Sequence, residues 1–200
     1  VAAPSAAVMD SQSVRAAATV GRATRGWDGG KKVAGRKRHI VVDTLVLLVA
    51  VLVTPASAQD RVAARSLLRR MRATAGKRAV LVWADGGYTG PLIERARRVL
   101  GLAMEIVQRQ QVPYFTVLPR GWVVEGTLAW ITGHRHCVRD YERLRHHYEA
   151  MVRWSMIRIS SRRLTQPHQL GNGHSELVPK VTTSYVSSRS PSLAFGPQEV

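Results

Sequence analysis

Asp10, Asp85 and Glu125 are the residues of this 200-residue chain whose type and placement suit phosphodiester chemistry. Cutting or joining a phosphodiester requires activation of a nucleophile and neutralisation of charge on the leaving oxygen, and a pair of divalent ions about 3.5 to 4 Å apart does both. Hard ions such as magnesium take carboxylate oxygens. Asp10 follows the apolar Ala7-Val8-Met9, Asp85 closes the apolar run 79–84, and Glu125 falls at the start of a late helix. Two strand ends and a helix can converge on one side of a sheet. Singly, each has an ordinary explanation: Asp10 before Ser11 suits a turn or cap, and Asp85 before Gly86-Gly87 suits a strand end. A glutamate in a first helical turn is stabilised by the helix dipole. Order and placement carry weight only for all three together.

A second group is basic. Thirty Lys and Arg against thirteen Asp and Glu give a formal charge of +17, which points to a polyanionic partner, most simply nucleic acid. Lys31, Lys32, Arg36, Lys37, Arg38 and His39 form one basic string, and Arg135, Arg139, Arg143 and Arg145 a later set. Beside a carboxylate site that holds DNA, both sets are expected to contact phosphates without reading sequence. Asp43 suits a hairpin turn, Asp60 a helix cap, and Asp140 a local pair with Arg143 or Arg145. The seven histidines show no metal-ligand spacing. Cys137 is alone, so no internal disulfide can form and a reducing compartment is the natural reading.

The elements that must position these residues are legible in outline. Alternating or continuous apolar runs predict strands at 7–9, 39–43, 45–53, 79–84, 104–107 and 114–118, with residues 14–30 as loop. Val62, Ala63, Leu67, Leu68 and Met71 recur at helical spacing over 60–75, with Arg65, Arg69, Arg70 and Arg72 on much of the remaining surface. Strand 79–84, the Gly86-Gly87 turn and a helix over 91–100 ended by Gly101 make an α/β unit. A long helix is predicted from 122 to 147 and a shorter one from 148 to 163, with Trp122 and Trp130 packing into the core. Residues 165–200, rich in Ser, Thr, Pro and Gly, read as a disordered tail.

Four strings resemble the DDE transposases of bacterial insertion sequences, of the insertion sequence 5 type and related to the insertion sequence 4 type. They are Asp10-Ser11-Gln12-Ser13-Val14, the stretch from Gly30 to His39 followed by Val41-Val42-Asp43-Thr44, Trp83-Ala84-Asp85-Gly86-Gly87-Tyr88, and Leu118-Pro119-Arg120-Gly121-Trp122-Val123-Val124-Glu125. The resemblance spans about residues 9–164 and includes Arg139-Asp140-Tyr141-Glu142 and Met156-Ile157-Arg158. It implies an α/β, ribonuclease H-like mixed sheet flanked by helices, forming one catalytic domain over 1–164. It implies that Asp10, Asp85 and Glu125 bind two magnesium ions, with manganese able to substitute. The implied reaction is hydrolysis at the element's ends with water as first nucleophile, then attack of the freed 3′ hydroxyl on target double-stranded DNA. The setting would be cytoplasmic and nucleoid-associated, without a membrane, and a homodimer on DNA is left open.

Two departures bear on activity. Relatives usually carry a helical end-recognition region ahead of the first catalytic Asp, whereas Asp10 is nine residues from the start, so an N-terminally truncated copy is expected. Relatives commonly have arginine where this chain has Gly121, Gly126 and Gly133, a pattern expected of drift in an unselected copy. A noncatalytic DNA-binding remnant is therefore the second reading. A third is a secreted basic protein, because basic 31–39, apolar 45–53 and Ala56-Ser57-Ala58 follow secretory-signal grammar. Against it, nine apolar residues fall short of the ~20 that a membrane helix needs. A different two-metal nuclease on the same scaffold is a fourth.

Overall fold

The computed structural model describes residues 4–107 and 119–165, so the strand expected at 114–118 and the tail expected beyond 165 lie outside the described residues. Six strands form one mixed sheet: β1 (Ala6–Arg15), β2 (Gly26–Asp28), β3 (Val33–Asp43), β4 (Leu48–Pro55), β5 (Leu81–Ala84) and β6 (Ala103–Ile106). β3 runs antiparallel to β1, and β2 and β4 pair in turn along its other edge. β5 and β6 run parallel to β1, giving the order β4, β3, β1, β5, β6.

Alternation along β1 divides the core. Ala7 and Met9 face α1 (Asp60–Ala75) and α2 (Pro91–Leu100), packing with Leu67, Leu68, Met71, Leu92 and Ala96. Val8 and Val14 face the opposite way, toward α3 (Pro119–Thr132) and α5 (Arg145–Thr165), packing with Val124, Leu128, Ile131, Val152 and Met156. Helices thus cover both faces of the sheet, the α/β arrangement that the sequence implies. On α1 the buried stripe is Ala63, Ala64, Leu67, Leu68, Met71 and Ala75, while Val62 is exposed. Gly101 ends α2 in a left-handed conformation (φ 59°), its N–H donating to the Ala96 and Arg97 carbonyls.

Several boundaries differ from the sequence expectations. β1 runs on to Arg15 and β2 occupies Gly26–Asp28, both within the stretch read as loop. β3 starts at Val33, so the basic string lies inside a central strand. Gly35 is required there, because a Cβ would sit 2.0 Å from the Val14 carbonyl oxygen of β1. The long helix expected to reach 147 stops at Thr132. A short helix α4 (Arg135–Val138) follows, and the chain then returns to the sheet, where Asp140 N–H donates to Arg15 O (2.9 Å) and Asp140 O accepts from Ala17 N–H (2.7 Å). That detour delivers Asp140 to β3 and precludes one continuous helix.

Asp43 makes the expected turn, its Oδ1 accepting the Leu45 and Leu47 N–H groups at 2.8 Å each. The apolar stretch read as secretory is this turn and β4, with Val51, Val53 and Ala56 in the core. Among the described residues no helix is long and apolar enough to cross a membrane. Beyond β4, Arg70 of α1 donates to Val51 O (2.7 Å) and pairs with Glu149 of α5 (2.7 Å), which in turn accepts from Val53 N–H (3.0 Å). Two side chains thereby satisfy backbone groups on the strand's outer edge.

Candidate active site

Asp10 alternates with Met9 and Ser11, so it belongs to the sheet face that meets α3. It lies mid-strand, paired across to Ile40 of β3, which fixes its backbone. Ser11 N–H donates to Asp10 Oδ1 at 2.6 Å. Burial nevertheless pushes the carboxyl up from 3.8 to about 6, and the negative charges of Asp85 and Glu125 add to the rise. The Ser11 hydrogen bond and the Lys31 ammonium oppose it incompletely.

Asp85 follows β5 directly, and β5 pairs with β1 only at Ala6–Val8, so the chain leaves the sheet as it draws level with Asp10. The exposed Asp85 carboxylate caps a short 3-10 turn over Gly86–Tyr88, Oδ1 accepting Gly87 N–H at 3.0 Å. The capping role that the sequence allows is thus occupied by one oxygen. Glu125 is exposed on α3, whose Val124 and Leu128 bury against β1 and β3 residues. Strand middle, strand end and helix bring the three carboxylates into one electrostatic field. They do not form a closed shell: among the described residues, no three His, Cys, Asp or Glu side chains lie close enough to enclose a metal ion.

The basic residues divide, and four of the ten expected DNA contacts are corrected. Arg36, Lys37, Arg38 and His39 are all buried. Arg36 spends all five donors internally, on Asp140 Oδ2 (2.9 Å), the carbonyls of Glu142 (2.9 Å), Arg143 (3.0 Å) and Thr24 (3.2 Å), and Thr24 Oγ1 (2.7 Å). Asp140 therefore pairs across the fold, not with Arg143 or Arg145. Arg38 binds Gln12, Cys137 O (2.8 Å), Tyr148 Oη (3.2 Å) and Thr132 Oγ1 (2.8 Å). Lys37 Nζ sits between Asp60 (3.2 Å) and Asp28 (3.6 Å), and His39 Nε2 meets Thr54 Oγ1 at 2.9 Å. A guanidinium with every donor engaged has none to offer a phosphate. Lys31, Lys32, Arg135 and Arg139 remain at the surface; Lys31 Nζ also reaches Ser11 O (3.5 Å), and Arg139 donates to Ala16 O (3.1 Å).

Sequence reasoning missed three polar groups beneath the carboxylates. Asp60 does not cap α1: it occupies the first turn after Gln59 and accepts from Ser11 Oγ at 2.9 Å. Tyr88 is buried, and its hydroxyl lies in the field of Asp60, Asp10 and Asp85. Ser11 and Tyr88 stand in the quoted motif strings, but pairing with Asp60 across 49 residues leaves no local signal.

The model of the family described as "Transposase DDE domain" matches residues 2–159. The chain belongs to that family. No curated protein sequence matches this transposase-domain chain. Among solved structures, a chain of the simian T-cell lymphotropic virus intasome in complex with PP2A regulatory subunit B56 gamma is 15% identical, with a TM-score of 0.51 over 94% of this chain. The match covers 61% of that chain, so this domain spans about three fifths of it. The catalytic core domain of BIV integrase is also 15% identical, covering 76% of this chain and 81% of that one with a TM-score of 0.47. The fold is ribonuclease H-like, and the transposase DDE family generally works with a divalent metal.

Proposed function

We propose that this chain is the catalytic domain of a transposase of the insertion sequence 5 type, acting in the cytoplasm on double-stranded DNA. In this reading Asp10, Asp85 and Glu125 hold two magnesium ions. The observation that carries it is Asp10, a carboxyl on a rigid central strand that burial and two further carboxylates drive up to about 6. A carboxyl raised by burial and by two neighbouring carboxylates offers the hard oxygen donors that suit a divalent cation. Such ions, when bound, supply activation of the attacking oxygen and neutralisation of the leaving one.

The remaining roles fall to the chain itself. Asp10 supplies the fixed donor, because its strand is paired with β3 at Ile40 and with β5 just before it. Asp85, one oxygen of which holds the turn, would use the other as its donor. Glu125 approaches from a helix separate from the two strands. Lys31, Lys32, Arg135 and Arg139 are the surface cations assigned to the phosphate backbone, holding DNA against the carboxylates without reading its sequence.

The test is nicking of a short duplex carrying the element's ends, with and without magnesium. Magnesium-dependent cleavage that disappears in Asp85→Ala is the expected result. Salt-sensitive binding by the wild type with no magnesium-dependent nicking would instead make the chain a DNA-binding remnant, since phosphate contacts need no intact carboxylate set.

A further inference from the structure

The carboxylate site has a polar floor that its three ligand candidates do not explain. Asp60 reaches it from the first turn of α1, where the helix N-terminus favours a negative charge. Its Oδ1 accepts from Ser11 Oγ (2.9 Å), takes Lys37 Nζ at 3.2 Å, and lies 3.7 Å from His39 Nδ1. Lys37 is anchored in turn by Ala58 O (3.3 Å) and Asp28, and Asp28 accepts from Ser13 Oγ at 2.5 Å. Ser11 is therefore gripped on both sides of its strand. Its hydroxyl is held by Asp60 on the α1 face, while its backbone N–H donates to Asp10 on the α3 face.

Two further atoms mark the same spot. Among the described residues, three buried side-chain polar atoms have no hydrogen-bond partner: His39 Nδ1, Tyr88 Oη and Arg72 Nε. The first lies 3.7 Å from Asp60, and the second feels the charges of Asp60, Asp10 and Asp85. Native folds leave few buried polar atoms unpaired. Two in one place, around a carboxylate with several acceptor lone pairs, indicate a polar network and not apolar packing.

We propose that Asp60 is a positioning residue of the metal site, acting on Asp10 through Ser11. The assignment rests on Asp10, Asp85 and Glu125 being metal ligands. Asp60 touches neither ion nor DNA in this scheme. It fixes the rotation of the Ser11 peptide and so the direction from which Asp10 Oδ1 is held. Outer-shell partners of this kind typically set 10- to 100-fold of metal affinity.

The test is manganese binding by isothermal titration calorimetry, with metal-free thermal unfolding measured on the same samples. Ser11→Ala removes the hydroxyl while keeping the peptide N–H and all of the Lys37 contacts. It is expected to weaken manganese binding by about tenfold or more, and Ser11→Thr to restore it. Asp60→Ala should weaken binding similarly, and the double variant no more than the worse single one, because the two act on one path. Wild-type affinity in Ser11→Ala, or a lowered melting temperature with unchanged affinity, would overturn the assignment. If Asp10→Asn abolishes binding while Ser11→Ala does not, only the positioning role fails. If the wild type binds no manganese, the ligand reading fails and this assignment with it.

Discussion

Arg36, Arg38 and Asp10 project from the same face of the β1–β3 pair, yet their charges are handled in opposite ways. Around the two arginines every positive charge is answered, by Asp140, by backbone carbonyls and by Gln12, and water is excluded. A few residues along, Asp10 is crowded by Asp85 and Glu125, with only the Ser11 N–H and Lys31 in opposition. One end of the face is a finished structural network. The other holds a carboxyl whose ionisation burial and two neighbouring carboxylates oppose, an expense in stability that a purely structural site has no reason to carry.

The largest effect should come from breaking the finished end. Arg36→Ala leaves Asp140 buried without its partner and is expected to cost about 3–5 kcal/mol. Chemical denaturation would read this as a lower midpoint at unchanged slope. Replacing both partners by apolar residues, Arg36→Met with Asp140→Leu, should recover much of the loss. A small cost for Arg36→Ala alone would show that the network is not structural.

His39 gives the next effect. Burial holds its pKa down at about 4 against an ordinary 6.5, with Lys37 and Lys31 opposing protonation and Asp60 favouring it. The unfolded chain binds the proton more readily, so the contribution is complete above pH 6.5 and is lost as pH falls through about 4. Thermal unfolding across that window should show a decline approaching ~3 kcal/mol, absent in His39→Asn.

Asp10 behaves with the opposite sign. Its pKa is raised from 3.8 to about 6, so the fold disfavours the charged form. Stability from the protonated carboxyl is present below pH 3.8 and is lost as pH rises through about 6. Metal-free Asp10→Asn should therefore be more stable than the wild type near neutral pH, by about 1–3 kcal/mol, and no more stable in acid. A destabilised Asp10→Asn would place Asp10 with the structural residues.

The smallest effect concerns α3. A side chain at Gly126 would meet nothing within 4 Å of its Cβ. Gly126→Arg should stabilise the helix by up to ~1 kcal/mol and tighten duplex binding at low salt. Unchanged binding would separate this face from the DNA path.

The same comparison explains what could be read in advance. The sheet and α1 follow from apolar alternation and spacing, and the carboxylates from strings of adjacent residues. Arg36 and Arg38 look like surface charge in the sequence because what neutralises them lies about a hundred residues away, at Cys137, Asp140 and Glu142. Lys31 and Lys32, in the same string, are exposed. Local pattern cannot separate the two cases, since a buried cation is recognised only by its partners. Asp60 was hidden likewise: its position at a helix start explains it locally, and its bond to Ser11 exists only in the folded chain.

The central claim is that the Asp10 end of this face is built for a divalent cation. Its most direct test is the melting temperature of the metal-free wild type near neutral pH as magnesium is added, with Asp10→Asn alongside. A ligand that binds only the folded state raises stability in proportion to the logarithm of its concentration. The wild type should climb steadily and overtake an unresponsive Asp10→Asn. Parallel, flat curves for the two proteins would contradict the account.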